Sequence, residues 1–128
     1  MYRNILIIDD DEDDRAILAD AIGEVSREST VFRAIGGVEA LDWLRSVKEL
    51  PDLIFLDLNM PRMNGKEFLG KIKKEKIFKR IPVVIYSTSG RIEDIEAGKK
   101  AGAVHFLTKP VLFNEICREL SFLLSRKW

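Results

Sequence analysis

The sequence predicts an α/β protein: a doubly wound sheet of five parallel strands with helices on both faces. Three observations predict it. Short, continuously apolar, β-branched runs alternate five times with segments whose apolar residues recur at helical spacing. The apolar runs lack the in–out alternation of a half-exposed strand, as expected of strands covered on both faces. Strand–helix repetition builds parallel sheets with right-handed crossovers, which leaves only a few doubly wound orders.

Ile5-Leu6-Ile7-Ile8 is the first strand, and Leu18, Ile22 and Val25 mark the first helix. Thr30 to Ile35 reads as the second strand. Gly36-Gly37 breaks the chain before a helix with Leu41, Leu44 and Val47 on one face, and Pro51 ends that segment. Leu53-Ile54-Phe55-Leu56 is the third strand, stopping at Asp57. Asn59-Met60-Pro61-Arg62-Met63-Asn64-Gly65 is loop chemistry, and Phe68, Leu69 and Ile72 mark the helix after it. Val83-Val84-Ile85-Tyr86 is the fourth strand, running into Ser87-Thr88-Ser89-Gly90. The fourth helix, Ile92 to Ala101, is the faintest, because it contains Gly98 and few apolar residues. Ala103 to Leu107 is the fifth strand, and Phe113, Ile116, Leu120 and Leu124 mark a closing helix. Only Ser125-Arg126-Lys127-Trp128 follow, so one domain over residues 1–128, without an attached output domain, is expected.

Composition narrows the function classes. The 128 residues suit one hydrophobic core, and 46% apolar with 33% charged residues is the profile of a globular protein. Twenty-one basic residues balance 21 acidic ones, so no overall field favours nucleic acid or a membrane surface, and neither is an expected partner. Met1-Tyr2-Arg3-Asn4 leads into four apolar residues, too few for a signal-peptide core or a membrane span, and a cytoplasmic location is expected. Cys117 is the only cysteine, which excludes an intrachain disulfide and a cysteine-based metal site.

In open α/β sheets, ligands bind beyond the carboxyl ends of the strands. Strand one delivers Asp9 and Asp10 there, strand three Asp57, strand four Ser87, and strand five Thr108-Lys109-Pro110. Two carboxylates ~4 Å apart repel by roughly 4 kcal/mol at an effective dielectric near 20. Three of them must raise a pKa or hold a cation, and Lys109 neutralises only one charge. A hard divalent ion suits the remainder, and Mg²⁺ favours a few carboxylates with waters and a phosphate. A flavin or dinucleotide phosphate would instead want a glycine- or hydroxyl-rich first loop, whereas this one reads Asp9-Asp10-Asp11-Glu12-Asp13-Asp14.

The whole chain resembles the receiver domain of bacterial response regulators, the CheY-like group. The likeness rests on Ile7-Ile8-Asp9-Asp10, on Leu56-Asp57-Leu58-Asn59-Met60-Pro61 through Gly65, on Ser87 after the fourth strand, and on Lys109-Pro110. It implies a flavodoxin-like (βα)5 three-layer sandwich and a stand-alone switch in a two-component phosphorelay. Asp57 would accept a phosphoryl group from a sensor histidine kinase or a histidine phosphotransfer protein. Asp10, Asp57 and the main-chain carbonyl of Asn59 would ligate Mg²⁺, with Asp9 acting mainly through water. Lys109 would pair with Asp57 and then with the phosphoryl oxygens, and Ser87 would donate its hydroxyl and shift. Phe106 would turn inward as Ser87 moves. The surface of helix four, strand five and helix five would then control a downstream partner or form a homodimer. Asp9 to Arg15 also resembles a subgroup of single-domain regulators that includes partners of bacterial phytochromes.

Simpler roles account for other residues. Asp11 to Asp14 read as first-turn acids of a helix, and Ser89 as the cap of the fourth helix. His105 reads as a solvent-facing strand residue, Cys117 as buried and inert, and the lysines from Lys66 to Lys79 as a solvated helix face. Thr88 is bulkier than the small residue common after the hydroxyl, which would narrow access. A haloacid-dehalogenase-type phosphatase would need an acid two residues after Asp57, where Asn59 stands. A phosphate-independent interaction module would need a degenerate site, and every expected residue is present.

Overall fold

A computed structural model describes residues 2–128; Met1 lies outside the described residues. Strands and helices alternate as β1 (Asn4–Ile8), α1 (Glu12–Val25), β2 (Thr30–Ala34), α2 (Gly37–Ser46), β3 (Leu53–Leu56), α3 (Gly65–Lys74), β4 (Val83–Ser87), α4 (Ile92–Lys100), β5 (His105–Thr108) and α5 (Phe113–Leu124). The strands form one parallel sheet in the order β2-β1-β3-β4-β5. The strand order reverses between β1 and β3, so right-handed crossovers send α1 and α5 to one face and α2, α3 and α4 to the other.

Both faces are covered, which is why the strands read as unbroken apolar runs. Ile5, Ile7, Phe55 and Val84 pack with Leu18, Ile22, Ile116 and Leu120 under α1 and α5. Leu6, Ile8, Leu56 and Ile85 pack with Leu41, Phe68 and Ile72 on the opposite face. Local chemistry starts the helices. Asp11 caps α1, its carboxylate accepting from the Asp14 N–H at 2.9 Å. Asn64 and Glu67 form a reciprocal capping box at α3. Among the described residues, no helix is long and apolar enough to cross a membrane.

Several boundaries differ from the sequence reading. β2 stops at Ala34, with Ile35 exposed, and Val47 caps α2 from outside it. β5 starts at His105 rather than Ala103, because the Ala103 N–H donates to Gly98 O at 3.1 Å and closes α4. Arg91, not Ser89, is the N-cap of α4 and makes no side-chain capping bond. Ser89 braces that turn differently: its hydroxyl donates to Asp94 and accepts from the Arg91 N–H. Gly98 is the one buried residue of α4. A Cβ there would lie 2.5 Å from Ile85 Cδ1 and 3.3 Å from Phe106 Cδ2, so α4 rests on the sheet through its glycine.

Gly65 makes a tighter approach. Its N–H donates to Leu58 O at 2.9 Å, and an added Cβ would stand 2.4 Å from the Asp57 carbonyl oxygen. That neighbour is backbone and cannot give way. Gly65→Ala is expected to destabilise the fold by about 2–3 kcal/mol, the scale of overpacking. Gly23, in α1, has nothing within 4 Å of its added Cβ. Gly23→Ala is therefore expected to stabilise by roughly 0.5–1 kcal/mol. Urea unfolding of the two variants checks the opposite signs.

Candidate functional site

Backbone pairing carries the sheet one residue beyond several strand ends. Asp9 N–H donates to Ala34 O at 3.2 Å, Asp57 N–H to Ile8 O at 2.9 Å, and Lys109 N–H to Ser87 O at 2.7 Å. Side chains therefore keep alternating between faces. Asp9, Asp57 and Lys109 follow Ile7, Phe55 and Leu107 by two residues and share their α1/α5 face. Ser87 follows Ile85 and belongs to the opposite face.

One carboxylate oxygen from each of Asp9, Asp10 and Asp57 lies within 4.8 Å of the others. Asp9 is 2% exposed and Asp57 7%, while Asp10 opens to solvent. Burial first, and then the charge of Asp9, push the Asp57 carboxyl up to about 6. Lys109 and the Leu58 N–H pull against that rise, and Asp10 adds to it. Asp9 is itself held firmly: Oδ1 accepts from the Asp11 N–H at 2.9 Å, Oδ2 from Lys109 at 2.9 Å, and its carbonyl from Arg15 at 2.7 Å. All the converging donors are hard oxygens, two of the three carboxylates are out of water, and the set fits an ion of the Mg²⁺ class.

Lys109 keeps Asp57 as an ion-pair partner and adds two closer ones. Its Nζ donates to Asp14 Oδ2 at 2.7 Å and to Asp9 Oδ2 at 2.9 Å, whereas Asp57 Oδ1 is 3.9 Å away, beyond hydrogen-bonding range. Burial works to lower the Lys109 pKa, but bonds to Asp14 and Asp9, with Asp57 behind them, hold the ammonium above its usual range. The Tyr86 ring lies under it, 5.5 Å from centroid to Nζ, and burial pushes that phenol up to about 12.

Of the residues expected at the site, the structure thus gathers Asp9, Asp10, Asp57 and Lys109. Ser87 is fully buried on the adjoining strand end, and its Oγ accepts from the Ser89 N–H at 3.3 Å, which leaves the O–H free to donate. Asn59 is exposed on the lip of a cleft it shares with Lys66 and Ser89, and Thr88 is also exposed. Phe106 is buried under α4 in the same core as Ile85. Asp14 is the site contact that sequence reasoning missed: only Asp11 acts as the cap, and Asp14 points its carboxylate at Lys109. Its signal was its place, one helical turn after the cap and beside the strand-one acids. His105 is half-buried with its ring 5.5 Å from that of Trp128, and Cys117 is half-buried against the α1/α5 core.

The raised Asp57 pKa fixes the sign of a stability change. Folding lifts it from 3.8 to about 6, so the folded state binds the proton more tightly and stability falls as pH rises through that window. Asp57→Asn removes the penalty. In chelator it is expected to stabilise by on the order of 1–3 kcal/mol at neutral pH, with the gain vanishing below about pH 4. Urea titrations across that range check it.

The family model described as the response regulator receiver domain matches residues 5–121. The chain is 34% identical over 116 residues to sporulation initiation phosphotransferase F of Bacillus subtilis (strain 168), covering 91% of this chain and 89% of that protein. It is 31% identical over 106 residues to the sensor histidine kinase CheAY of Helicobacter pylori, covering 83% of this chain and only 13% of that protein. The phosphorylated cyanobacterial phytochrome response regulator RcpA superposes with a TM-score of 0.86 at 29% identity, covering 96% of this chain and 91% of that one. The Mn²⁺-bound form of response regulator Rcp1 also gives 0.86, at 27% identity over 98% and 97% of the two chains. With a family match spanning nearly every element and a fold shared with solved regulators, the chain belongs to the CheY-like response regulator receiver domains of two-component signalling.

Proposed function

We propose that this receiver domain accepts a phosphoryl group on Asp57 and relays the change to a partner protein, with residues 1–128 acting as one unit. The observation that carries the reading is Asp57 itself. A nearly buried carboxyl ends the central strand, its pKa pushed up to about 6, with Asp9 and Asp10 around it and an ammonium 3.9 Å away. Asp10, Asp57 and the Asn59 carbonyl would hold Mg²⁺, with Asp9 supporting the site, and the ion would supply charge compensation for a transferring phosphoryl group.

The donor is a phosphohistidine of a sensor histidine kinase or a histidine phosphotransfer protein, a reading supported by relatives that are themselves named a histidine kinase and a phosphotransferase. A carboxylate oxygen of Asp57 attacks phosphorus, the P–N bond breaks, and its electron pair stays on the imidazole, which takes up a proton. The product is an acyl phosphate with close to two negative charges. Lys109 then bonds to phosphoryl oxygens, and Ser87 donates its buried hydroxyl to another. The transfer is one event per protein molecule, so the domain is a switch that slowly releases its own phosphoryl group, not a turnover enzyme. Asn59, unable to act as a general acid, argues against the phosphatase alternative.

The output is carried by α4, β5 and α5. Ser87, Ile85 and Phe106 belong to one face, and α4 rests there on a glycine. A hydroxyl drawn toward the phosphoryl group changes packing under α4, and a downstream protein or a second copy reads the altered surface in the cytoplasm.

Incubation with acetyl phosphate and Mg²⁺ is expected to add one phosphoryl group by mass spectrometry, and chelation or Asp57→Asn to abolish it. Labelling that persists on Ser87 or His105 in the Asp57→Asn variant would sink the assignment. For the output, Ser87→Ala is expected to remain phosphorylatable but to lose most of the beryllofluoride-induced amide shifts along α4 and at Phe106. If Ser87→Ala and Phe106→Ala both keep the wild-type NMR shifts, the signal leaves by another face.

A further inference from the structure

The three carboxylates facing Lys109 are not equivalent. Asp9 and Asp57 belong to the cluster suited to a cation, but Asp14 does not. Asp14 makes the shortest contact of the three, 2.7 Å against 2.9 Å for Asp9 and 3.9 Å for Asp57. Both ends of the Asp14–Lys109 bridge are anchored. The Asp14 N–H is tied to the Asp11 cap at 2.9 Å, which fixes the first turn of α1. The Lys109 N–H is tied to Ser87 O at 2.7 Å, and Pro110 restricts the backbone that follows. Only the tip of the lysine is left to choose. An ammonium has three donors, and two are committed to Asp14 and Asp9, with Asp57 outside bonding distance.

We propose that Asp14 is a positioning residue that holds the Lys109 ammonium toward α1 and so restrains its move onto Asp57 and the phosphoryl group. The inference rests on the reading of Asp57 as acceptor and adds what sets the reach of its lysine. The third N–H is uncommitted, but at 3.9 Å from Asp57 the ammonium must shift away from Asp14 before it reaches an incoming group. Removing the Asp14 charge lets the ammonium lean toward Asp57. The Asp14 carboxylate is 35% exposed, so water screens the pair and the effect is modest.

Asp14→Asn is expected to speed phosphorylation by acetyl phosphate and to tighten beryllofluoride binding, each by roughly three-fold, the scale of a partly exposed ion pair. Asp14→Glu, which returns a carboxylate, should restore the wild-type rate. In a Lys109→Ala background the gain from Asp14→Asn should disappear, because the effect passes through the lysine. A crystal structure of Asp14→Asn supplies a readout independent of reactivity: Nζ should come within hydrogen-bonding distance of Asp57. A gain that persists without Lys109 would reduce Asp14 to a general charge effect and overturn the proposal. So would an Nζ that stays near 3.9 Å from Asp57 in Asp14→Asn. Failure of the acceptor reading looks different. Wild-type protein would then remain unlabelled at Asp57, while the crystallographic distance would still decide the role of Asp14.

Discussion

The repulsion between two buried carboxylates organises this end of the molecule. Ile8 and Leu56 are register partners, so Asp9 and Asp57 stand level on neighbouring strands, both almost out of water. At ~4 Å such a pair costs roughly 4 kcal/mol at an effective dielectric near 20. Lys109 is the compensating charge, and it arrives from β5, two strands from β3, over the ring of Tyr86. Strands are about 4.8 Å apart, so only a long side chain crosses β4 to reach the acids. One ammonium cannot neutralise Asp9, Asp10, Asp14 and Asp57 together. The remaining negative charge is what suits the site to a small hard cation.

The surrounding fold holds the loop after Asp57 more tightly than the loop after β4. The segment following Asp57 is closed by Gly65, whose missing side chain admits the Asp57 carbonyl, and by the Asn64–Glu67 capping box. Arg62 adopts a positive φ of 65° in that loop and bonds to Glu39 across to α2. By contrast, α4 has no side-chain cap and buries only Gly98. An element with so little buried apolar surface opens at low cost. Asp57 is thus held in a defined geometry, and freedom is concentrated in the element next to Ser87.

The order of elements was legible because it is written locally. Strands buried on both faces read as continuous apolar runs, and Asp9, Asp10, Asp57, Ser87 and Lys109 are recognisable because each follows such a run. What the sequence hid was non-local. Gly98 looks like a helix weakener by propensity, and only the closeness of Ile85 and Phe106 reveals it as a packing contact. Ser89 has the chemistry of a cap, but Asp94 takes its hydroxyl and the helix starts later. Asp14 does lie in the first turn of α1, but its facing partner is 95 residues away and only the fold reveals it. Period-two alternation from Leu107 to Lys109 does put the lysine on the face of Asp9 and Asp57. That α1 covers the same face follows only from the sheet order.

That alternation also divides the labour of the proposed transfer. Lys109, Asp9 and Asp57 lie on the α1/α5 side of the sheet, whereas Ser87 lies on the side of Ile85, Phe106 and α4. In the proposed transfer, charge compensation and signal transmission therefore approach Asp57 from opposite faces. A phosphoryl group on Asp57 adds negative charge that the first face must absorb, by moving an ammonium already surrounded by carboxylates. It also offers acceptor oxygens to a hydroxyl on the second face, whose neighbours are packed side chains rather than charges. Movement on the first face exchanges one ion pair for another and alters little of the surrounding surface. Movement on the second displaces a fully buried group, and close-packed interiors transmit such displacements. On the proposed function, the face with the weaker electrostatics is thus the one that would carry the message outward.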